Sequence, residues 1–283
     1  MIAFEKYHGL GNDYLVLDAR DERPLGVRDV ERICDRRRGV GSDGVLLRVR
    51  DPEPGCYALR ILNPDGSEAE KSGNGLRIFA RYLYDRGEVG GQEFSVRTAA
   101  GDVRCGVLEN GGAIRVQMGR VSFDSHVIPV TGPRREVLRE SIEVAGARLE
   151  FSAATIGNPH CVIFRERVSE EEARQLGPSL EQHPCFPKRT NVQFAQVVDR
   201  TTLWLEIWER GAGYTLASGS SSCAASAVAH RLGLCEDRVT VVMPGGALQV
   251  EIGSDYEVVQ QGPVVHVASG NISDELLEAQ ARS

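Results

Sequence analysis

Two segments of the chain repeat one another at a fixed distance, and this constrains the fold more than any other feature. Asn12 follows Gly11 and leads into an apolar run, and Asn158 follows Gly157 in the same way. The offset from residue 12 to residue 158 is 146 positions. Gly-Asn is a frequent turn pair, so this match alone carries little weight.

A second pair of landmarks has the same spacing. Ser72 precedes a glycine, and so does Ser218, again 146 positions later. Asn63 and Glu209 share the offset as well. Chance agreement between common turns is the alternative, but independent pairs with one offset favour an internal duplication.

The duplication predicts two lobes. The first spans residues 1–122 and the second residues 123–275, with the C-terminal tail able to pack back on the first lobe. Copies of this length are domains rather than the short stacked units of a solenoid.

Each lobe has short apolar runs with strand-like composition and one helical pattern. The strand-like runs lie at residues 46–49, 56–62, 113–118, 203–208, 239–243 and 248–252. A helix is predicted after Ser72, ending near Gly87, and another after Ser218, ending near Gly233. This mixture predicts an α/β (α+β) fold.

Charge and cysteine usage limit the classes of function. The net charge of −7 argues against nucleic acid as a partner, because nucleic-acid binding needs a basic face. Seven cysteines, an odd number without a CxxC pair, indicate free thiols in a reducing compartment. We see no signal-peptide pattern and no apolar run of membrane-spanning length, so we expect a cytoplasmic protein without a membrane partner.

The two Ser-Gly helix starts are candidate binding sites. The first N–H groups of a helix lack intrahelical partners, and the helix dipole adds positive charge there. Such an end binds anions, a carboxylate included. Serine is also a common N-cap without any further function, and the duplication is what favours the functional interpretation.

Longer motifs carry a family resemblance. The segments at residues 63–75 (NPDGSEAEKSGNG) and 209–219 (ERGAGYTLASG) resemble the two signatures of diaminopimelate epimerases. Residues 8–13 (HGLGND) and 157–160 (GNPH) match the family as well. The resemblance extends from about residue 3 to about residue 272.

The resemblance implies a fold of two pseudo-symmetric lobes, each a curved, mostly antiparallel sheet around a central helix, with the active site in the cleft between them. It implies an amino-acid epimerase that needs no cofactor and no metal. Such an enzyme interconverts LL- and meso-diaminopimelate for lysine and peptidoglycan synthesis. One cysteine thiolate removes the α-proton, and a second returns one on the opposite face. The family commonly forms homodimers.

Family roles transfer to matching positions of this chain. The positions of the catalytic cysteines are Ser72 and Ser218. The expected carboxylate cradle comprises Gly73, Asn74, Gly219 and Ser220. Positions that match substrate-recognition residues are Asn12, Asn63, Asn158, Asn191, Glu209 and Arg210. Arg210 suits a distal carboxylate because its planar group can bind it through two hydrogen bonds, and His160 matches a histidine near the catalytic pair that could assist.

Serine at both catalytic positions is a large chemical change, because an aliphatic hydroxyl is a far weaker acid than a thiol. Serine can act when a neighbouring base takes its proton. Lys71 and His160 are candidates for that assistance. Further departures from the family pattern are Gly44, Tyr214 and residues 220–222, and they favour natural divergence over a targeted replacement of two cysteines.

Three functions remain open at this stage. The first is a diaminopimelate epimerase or a close amino-acid epimerase, favoured by the retained recognition residues. The second is a divergent isomerase, tautomerase or dehydratase on the same fold, motivated by Gly44, Lys71 and Tyr214. The third is a non-catalytic amino-acid-binding protein, motivated by the loss of both thiols.

Overall fold

The structure is a computed structural model that describes residues 1–20 and 25–278. Its helices are α1 (Val27–Cys34), α2 (Gly73–Asp85), α3 (Glu170–Glu181), α4 (Gly219–Arg231) and α5 (Asp274–Glu278). Its strands are β1 (Ile2–Gly9), β2 (Asn12–Asp18), β3 (Val45–Glu53), β4 (Cys56–Leu62), β5 (Glu68–Ala69), β6 (Phe94–Thr98), β7 (Gly101–Leu108), β8 (Ala113–Arg120), β9 (Glu140–Val144), β10 (Ala147–Thr155), β11 (Pro159–Phe164), β12 (Asn191–Asp199), β13 (Thr202–Glu209), β14 (Gly213–Thr215), β15 (Arg238–Met243), β16 (Gly246–Ile252), β17 (Glu257–Gly262) and β18 (Val265–Ile272). The mixed, sheet-dominated α/β class predicted from the sequence is confirmed.

The chain divides into two compact units. Of the described residues, unit 1 comprises 1–20, 25–116 and 262–278, and unit 2 comprises 117–261. The sequence places the boundary near residue 122 and assigns residues 262–275 to the second lobe. The structure instead groups those residues with unit 1.

The pairing of β18 with β1 explains this grouping. The two strands are antiparallel from Ile2 opposite Ile272 to His8 opposite Val265. Beyond β18, Leu277 joins the apolar core that contains Leu15 and Val30. The C-terminal segment thus adds both a strand and apolar surface to the N-terminal half, and no periodicity in the sequence specifies that partner.

Within each unit the strands follow the same order of pairings. Unit 1 runs β18-β1-β2-β3-β4-β6-β7-β8, and β2–β3 and β4–β6 are its parallel pairs. Unit 2 runs β9-β10-β11-β12-β13-β15-β16-β17, and β11–β12 and β13–β15 are its parallel pairs. The remaining neighbours in both orders are antiparallel, so β18 occupies in unit 1 the place of β9 in unit 2.

Each parallel pair is connected through a helix, because parallel strands cannot be joined by a tight turn. α1 connects β2 to β3, and α3 connects β11 to β12. α2 lies between β4 and β6 in sequence, and α4 lies between β13 and β15. The helices therefore begin where a strand has just ended, which places the Ser-Gly starts of α2 and α4 at corresponding points of the two units.

α2 and α4 are the two helices that the sequence predicts, and both are largely buried. Every residue of α2 from Gly73 to Ala80 is buried, as is every residue of α4 from Ser221 to Ala229. α2 packs on β1, β2 and β7, and α4 packs on several strands of unit 2. A helix buried all round is a rigid support for its own N-terminus. Among residues 1–20 and 25–278, no helix has the length and apolarity needed to cross a membrane.

A tight contact joins α3 to β13 in unit 2. Gly177 faces Trp208, and a Cβ at Gly177 would lie 2.5 Å from the Trp208 ring atom Cγ. Trp208 Nε1 donates to Glu181 Oε2 over 2.7 Å, and Glu181 Oε1 accepts from the Gly211 amide over 2.9 Å. The contact thus supports the segment that follows β13.

We predict that Gly177→Ala destabilises the protein. Alanine ordinarily improves a helix by about 1 kcal/mol relative to glycine. Here the added methyl group overlaps Trp208, so we expect a net loss of about 1–3 kcal/mol in the free energy of unfolding. The exposed position Gln175 on the same helix provides the control, since Gln175→Ala should change stability by less than about 0.5 kcal/mol. Urea denaturation compares the two variants, and equal midpoints would show that the contact is not tight.

Candidate active site

The start of α2 fixes the hydroxyl of Ser72. Ser72 is the N-cap, with an extended backbone (φ −138°, ψ 120°), and its Oγ accepts the Gly75 amide proton over 3.0 Å. The preceding N–H groups of the helix, those of Gly73 and Asn74, have no intrahelical acceptor by helix geometry. The half-buried hydroxyl therefore lies beside backbone donors at the positive end of the helix dipole.

The start of α4 has the same geometry in unit 2. Ser218 is the N-cap at φ −145° and ψ 124°, and its Oγ accepts the Ser221 amide proton over 3.4 Å. The first helical N–H groups are those of Gly219 and Ser220. A Cβ at Gly219 would lie 2.4 Å from Gln260 Oε1, so a larger residue here would displace the Gln260 amide. Unlike Ser72, Ser218 is buried.

Asn12 and Asn74, two predicted recognition residues of unit 1, contact one another. Asn74 Nδ2 donates to Asn12 Oδ1 over 3.0 Å, and Asn12 Nδ2 donates to Asp43 Oδ2 over 2.8 Å. Arg77, fully buried on α2, donates to Asn74 Oδ1 over 2.8 Å. This chain of hydrogen bonds fixes the start of β2 against the first turn of α2.

Asn63 lies in the turn between β4 and β5. It is not part of the Asn12–Asn74 contact. Its Nδ2 donates to Ser67 Oγ over 2.9 Å, and its backbone N–H donates to the Ser67 carbonyl over 2.8 Å. The side chain stabilises the turn just after β4, the strand whose last residue is Leu62.

In unit 2, three predicted residues gather where β11 and β12 begin. His160 lies opposite Asn191 in the parallel pairing of these strands. His160 Nε2 lies 2.9 Å from Asn158 Oδ1, and Asn191 Nδ2 donates to the Pro159 carbonyl over 2.9 Å. Since an amide oxygen is an acceptor, the neutral imidazole carries its proton on Nε2. His160 thereby orients Asn158.

Burial keeps His160 neutral. The ring is completely buried, and desolvation lowers its pKa to about 3, while a hydrogen bond with Gln193 acts in the opposite direction. A neutral, hydrogen-bonded imidazole in the interior is suited to holding Asn158 in place. This geometry favours a positioning role over proton exchange with a serine.

Asn191 also holds the segment that carries Arg210. Its Oδ1 accepts the Arg210 backbone N–H over 3.0 Å, and Arg210 Nη1 donates to the Lys188 carbonyl over 3.1 Å. The Arg210 side chain is exposed, and Glu209, the last residue of β13, is partly buried. Both residues thus lie at the end of β13, next to the amide contributed by β12.

Some functional contacts were not predicted from the sequence. Tyr14, on β2, has its hydroxyl 3.5 Å from Ser72 Oγ. Arg77 holds Asn74, and Glu181 holds the Gly211 amide and Trp208. Tyr14 directly follows the Gly-Asn-Asp motif, so its position in the sequence could have indicated that it lies near the site. Charged residues on helices give no such indication until their packing is known.

The departures from the family pattern occupy specific places. Tyr214 donates its hydroxyl to Glu206 Oε2 over 2.7 Å, and its ring lies under the Arg174 guanidinium. Lys71 lies close enough to Cys105 for its charge to oppose the increase in the thiol's pKa that burial causes. Among residues 1–20 and 25–278, no group of three histidine, cysteine or carboxylate side chains is arranged to hold a metal ion.

Cys161 and Cys223 are fully buried, where they pack as small residues. Burial raises the pKa of the Cys161 thiol well above its usual value, and it raises the pKa of Cys185 to about 12. The seven cysteines are free thiols. None of them occupies position 72 or 218, so the hydroxyls are the groups presented at both helix starts.

The buried His160 predicts a pH-dependent contribution to stability. Its pKa is about 3 in the folded chain and about 6.5 when unfolded. The unfolded chain therefore binds a proton that the native chain excludes, and stability present above pH 6.5 is lost as the pH falls towards 3. The stability difference between wild type and His160→Gln should shrink by about 3 kcal/mol from pH 7 to pH 4.

The exposed His126 provides the matched control for this titration, because His126→Gln removes an imidazole that is not buried. It controls for the loss of an imidazole outside the interior. Chemical denaturation at several pH values measures both. A constant difference for His160→Gln would show that His160 takes up its proton equally readily in the folded and the unfolded chain.

Comparison with known proteins gives the family. Residues 4–123 and 152–267 match the family model described as diaminopimelate epimerase. Diaminopimelate epimerase 2 of Nostoc sp. is 52% identical over 274 residues, which covers 96% of this chain and 96% of that protein. Diaminopimelate epimerase of Moorella thermoacetica is 42% identical over 274 residues, covering 95% of this chain and 98% of that protein.

Solved structures support the fold at lower sequence identity. A hydroxyproline epimerase from Agrobacterium vitis, with bound trans-4-hydroxy-L-proline, has a TM-score of 0.70 at 16% identity, covering 95% of this chain and 90% of that chain. A methylitaconate-delta-isomerase has a TM-score of 0.64 at 11% identity, covering 100% of this chain and 98% of that chain. Together with the matches to residues 4–123 and 152–267, the relatives show that this chain is an isomerase of the epimerase type and belongs to the diaminopimelate epimerase family.

Proposed function

We propose that the chain is a cofactor-independent epimerase that interconverts LL- and meso-diaminopimelate by removing and returning the α-proton on opposite faces. In the cell this reaction would feed lysine and peptidoglycan synthesis. One observation carries the proposal: each unit presents a serine hydroxyl as the N-cap of a buried helix. The resemblance to the family implies a catalytic cysteine at each of these positions. The names of the close relatives support the choice of substrate.

The helix starts supply the electrostatic part of catalysis. The N–H groups of Gly73, Asn74, Gly219 and Ser220 are the proposed donors to the substrate's α-carboxylate. Because both helices are buried, these donors are already oriented before substrate binds. Charge that develops on the carboxylate as the α-proton leaves is then stabilised without reorganisation of the protein.

The remaining polar residues are proposed to bind the distal end of the substrate. These are Asn12, Asn63, Asn158, Glu209 and Arg210, and Asn191 acts through the last of them. Arg210 is exposed and tethered through one guanidinium nitrogen, so other N–H groups of the fork can bind a carboxylate. Asn191 uses both ends of its amide on the backbone of neighbouring segments, so its proposed contribution is to position Arg210.

Serine makes the proton-transfer step slower than a thiol would. A helix N-terminus stabilises the anion of an N-cap side chain. This effect lowers the pKa of a cysteine thiol, so that the thiolate is populated near neutral pH. The same stabilisation lowers the pKa of a hydroxyl too, but a hydroxyl is a much weaker acid than a thiol to begin with. The proposed enzyme therefore binds its substrate in an intact site and turns it over at a rate limited by proton transfer.

We predict that Ser72→Cys combined with Ser218→Cys greatly increases turnover. Proton exchange into diaminopimelate in deuterated water and stereoisomer conversion measure the effect. Because the serine hydroxyls already occupy the helix starts, thiols at these positions should accelerate exchange by about 10²–10⁴-fold. Each single variant should gain less, since one face would still depend on serine.

A double variant with thiols elsewhere serves as the control. Ser95 lies on β6, and Ser254 lies in an exposed loop after β16. Ser95→Cys combined with Ser254→Cys therefore introduces two thiols away from the helix starts. It should leave the exchange rate unchanged. An inert wild type together with an inert Ser72→Cys/Ser218→Cys variant would contradict the proposed function and favour a different isomerase or a binding protein.

A further inference from the structure

Ser72 has an aromatic hydroxyl beside it. Tyr14 OH lies 3.5 Å from Ser72 Oγ, and the Tyr14 side chain is 7% exposed. At 3.5 Å the contact is longer than a strong O–H···O hydrogen bond. Catalytic hydrogen bonds are often long before substrate binds and shorten in the complex.

The backbone at Gly44 holds the Tyr14 ring in this direction. A Cβ at Gly44 would lie 2.7 Å from Tyr14 Cε1 and 2.5 Å from the Leu62 carbonyl oxygen. The Gly44 carbonyl accepts the Leu15 N–H over 3.1 Å and the Ser42 hydroxyl over 2.9 Å, so this backbone is fixed. Glycine at this position leaves the space that the ring occupies, and the ring cannot move towards β3 without a clash.

Ser72 is also fixed on its other side. Its Oγ accepts the Gly75 amide proton over 3.0 Å, which directs one lone pair into the helix start. The oxygen keeps one proton and a second lone pair for other groups. Tyr14 is a side-chain neighbour of this oxygen, and it can either donate to Ser72 or accept from it.

We propose that Tyr14 is a further catalytic residue, whose hydroxyl exchanges a proton with Ser72 during the epimerase reaction proposed above. When Ser72 protonates the α-carbon, its O–H bond breaks and a C–H bond forms from the carbanion's electron pair. Tyr14 simultaneously gives its proton to Ser72 Oγ. The negative charge then resides on the phenolate instead of a serine alkoxide.

The reverse direction balances in the same way. The α-carbon gives its proton to Ser72 Oγ, and the proton that Ser72 carried passes to the Tyr14 phenolate. A phenol has an ordinary pKa of about 10, far closer to neutral than that of an aliphatic alcohol. Tyr14 therefore supplies the neighbouring base that an active serine requires.

Ser218 is surrounded differently. Its Oγ accepts the Ser221 amide proton over 3.4 Å, and Ser221 Oγ in turn accepts from Gln193 Nε2 over 3.0 Å. These contacts involve amide and hydroxyl groups that do not titrate near neutral pH. The phenol relay is thus assigned to the Ser72 face of the reaction.

The first test uses Tyr14→Phe, which keeps the ring against Gly44 and removes the hydroxyl. Exchange of the α-proton in deuterated water should fall by about 10²-fold. The control Tyr84→Phe, a half-buried tyrosine at the end of α2, should keep the wild-type rate. On a Ser72→Cys background, Tyr14→Phe should change the rate by less than about threefold, because a thiol does not need the relay.

A second measurement does not depend on turnover. The thiol introduced by Ser72→Cys can be alkylated with iodoacetamide over a range of pH. If the phenol donates to the group at position 72, adding Tyr14→Phe should raise the thiol's apparent pKa by about one unit. The native cysteines give a low background, because six are buried and the pKa of the partly exposed Cys185 is raised to about 12.

The outcomes separate this proposal from the proposed function. If the wild type exchanges the α-proton but Tyr14→Phe keeps its rate, the relay is contradicted while the epimerase stands. An unchanged alkylation profile would likewise overturn the shared proton. If the wild type does not exchange at all, the function and the relay both fail, and the alkylation profile still reports whether the two groups interact.

Discussion

The hydrogen bond from a backbone amide to the N-cap serine is the interaction on which the candidate site depends. It fixes each hydroxyl at the first turn of a buried helix, and it leaves the adjacent N–H groups to a ligand. The helix itself is held by strands of its own unit, since both α2 and α4 are buried almost throughout. The order of strands matters because a helix that joins two parallel strands must begin at the end of a strand.

Hydroxyls stand at both helix starts, where the resemblance to the family implies thiols, and the proposed function depends on that difference. The N-cap backbone angles of Ser72 and Ser218 differ by only a few degrees, so the two starts remain alike. A hydroxyl gains the same dipole stabilisation as a thiol but begins as a weaker acid. The neighbours of the two serines therefore become decisive, and they differ: a phenol accompanies Ser72, whereas amides and hydroxyls accompany Ser218.

The sequence predicted the features that depend on local pattern. The common offset of 146 between Ser72 and Ser218 anticipated two helices with matching bounds, and apolar spacing anticipated their extent. The pairing of β18 with β1 could not be anticipated, because strand partners far apart in sequence leave no periodic signal. The contacts of Arg77 and Glu181 were missed for the same reason, since a charged residue on a helix is usually solvated.

Backbone amide NMR shifts on addition of diaminopimelate test the central claim most directly. We predict that the amides of Gly73, Asn74, Gly219 and Ser220 shift together and saturate with one dissociation constant. The diamine 1,5-diaminopentane, which lacks both carboxylates, should leave them unchanged. Shifts confined to other parts of the chain, or equal shifts with the diamine, would contradict carboxylate binding at the two helix starts.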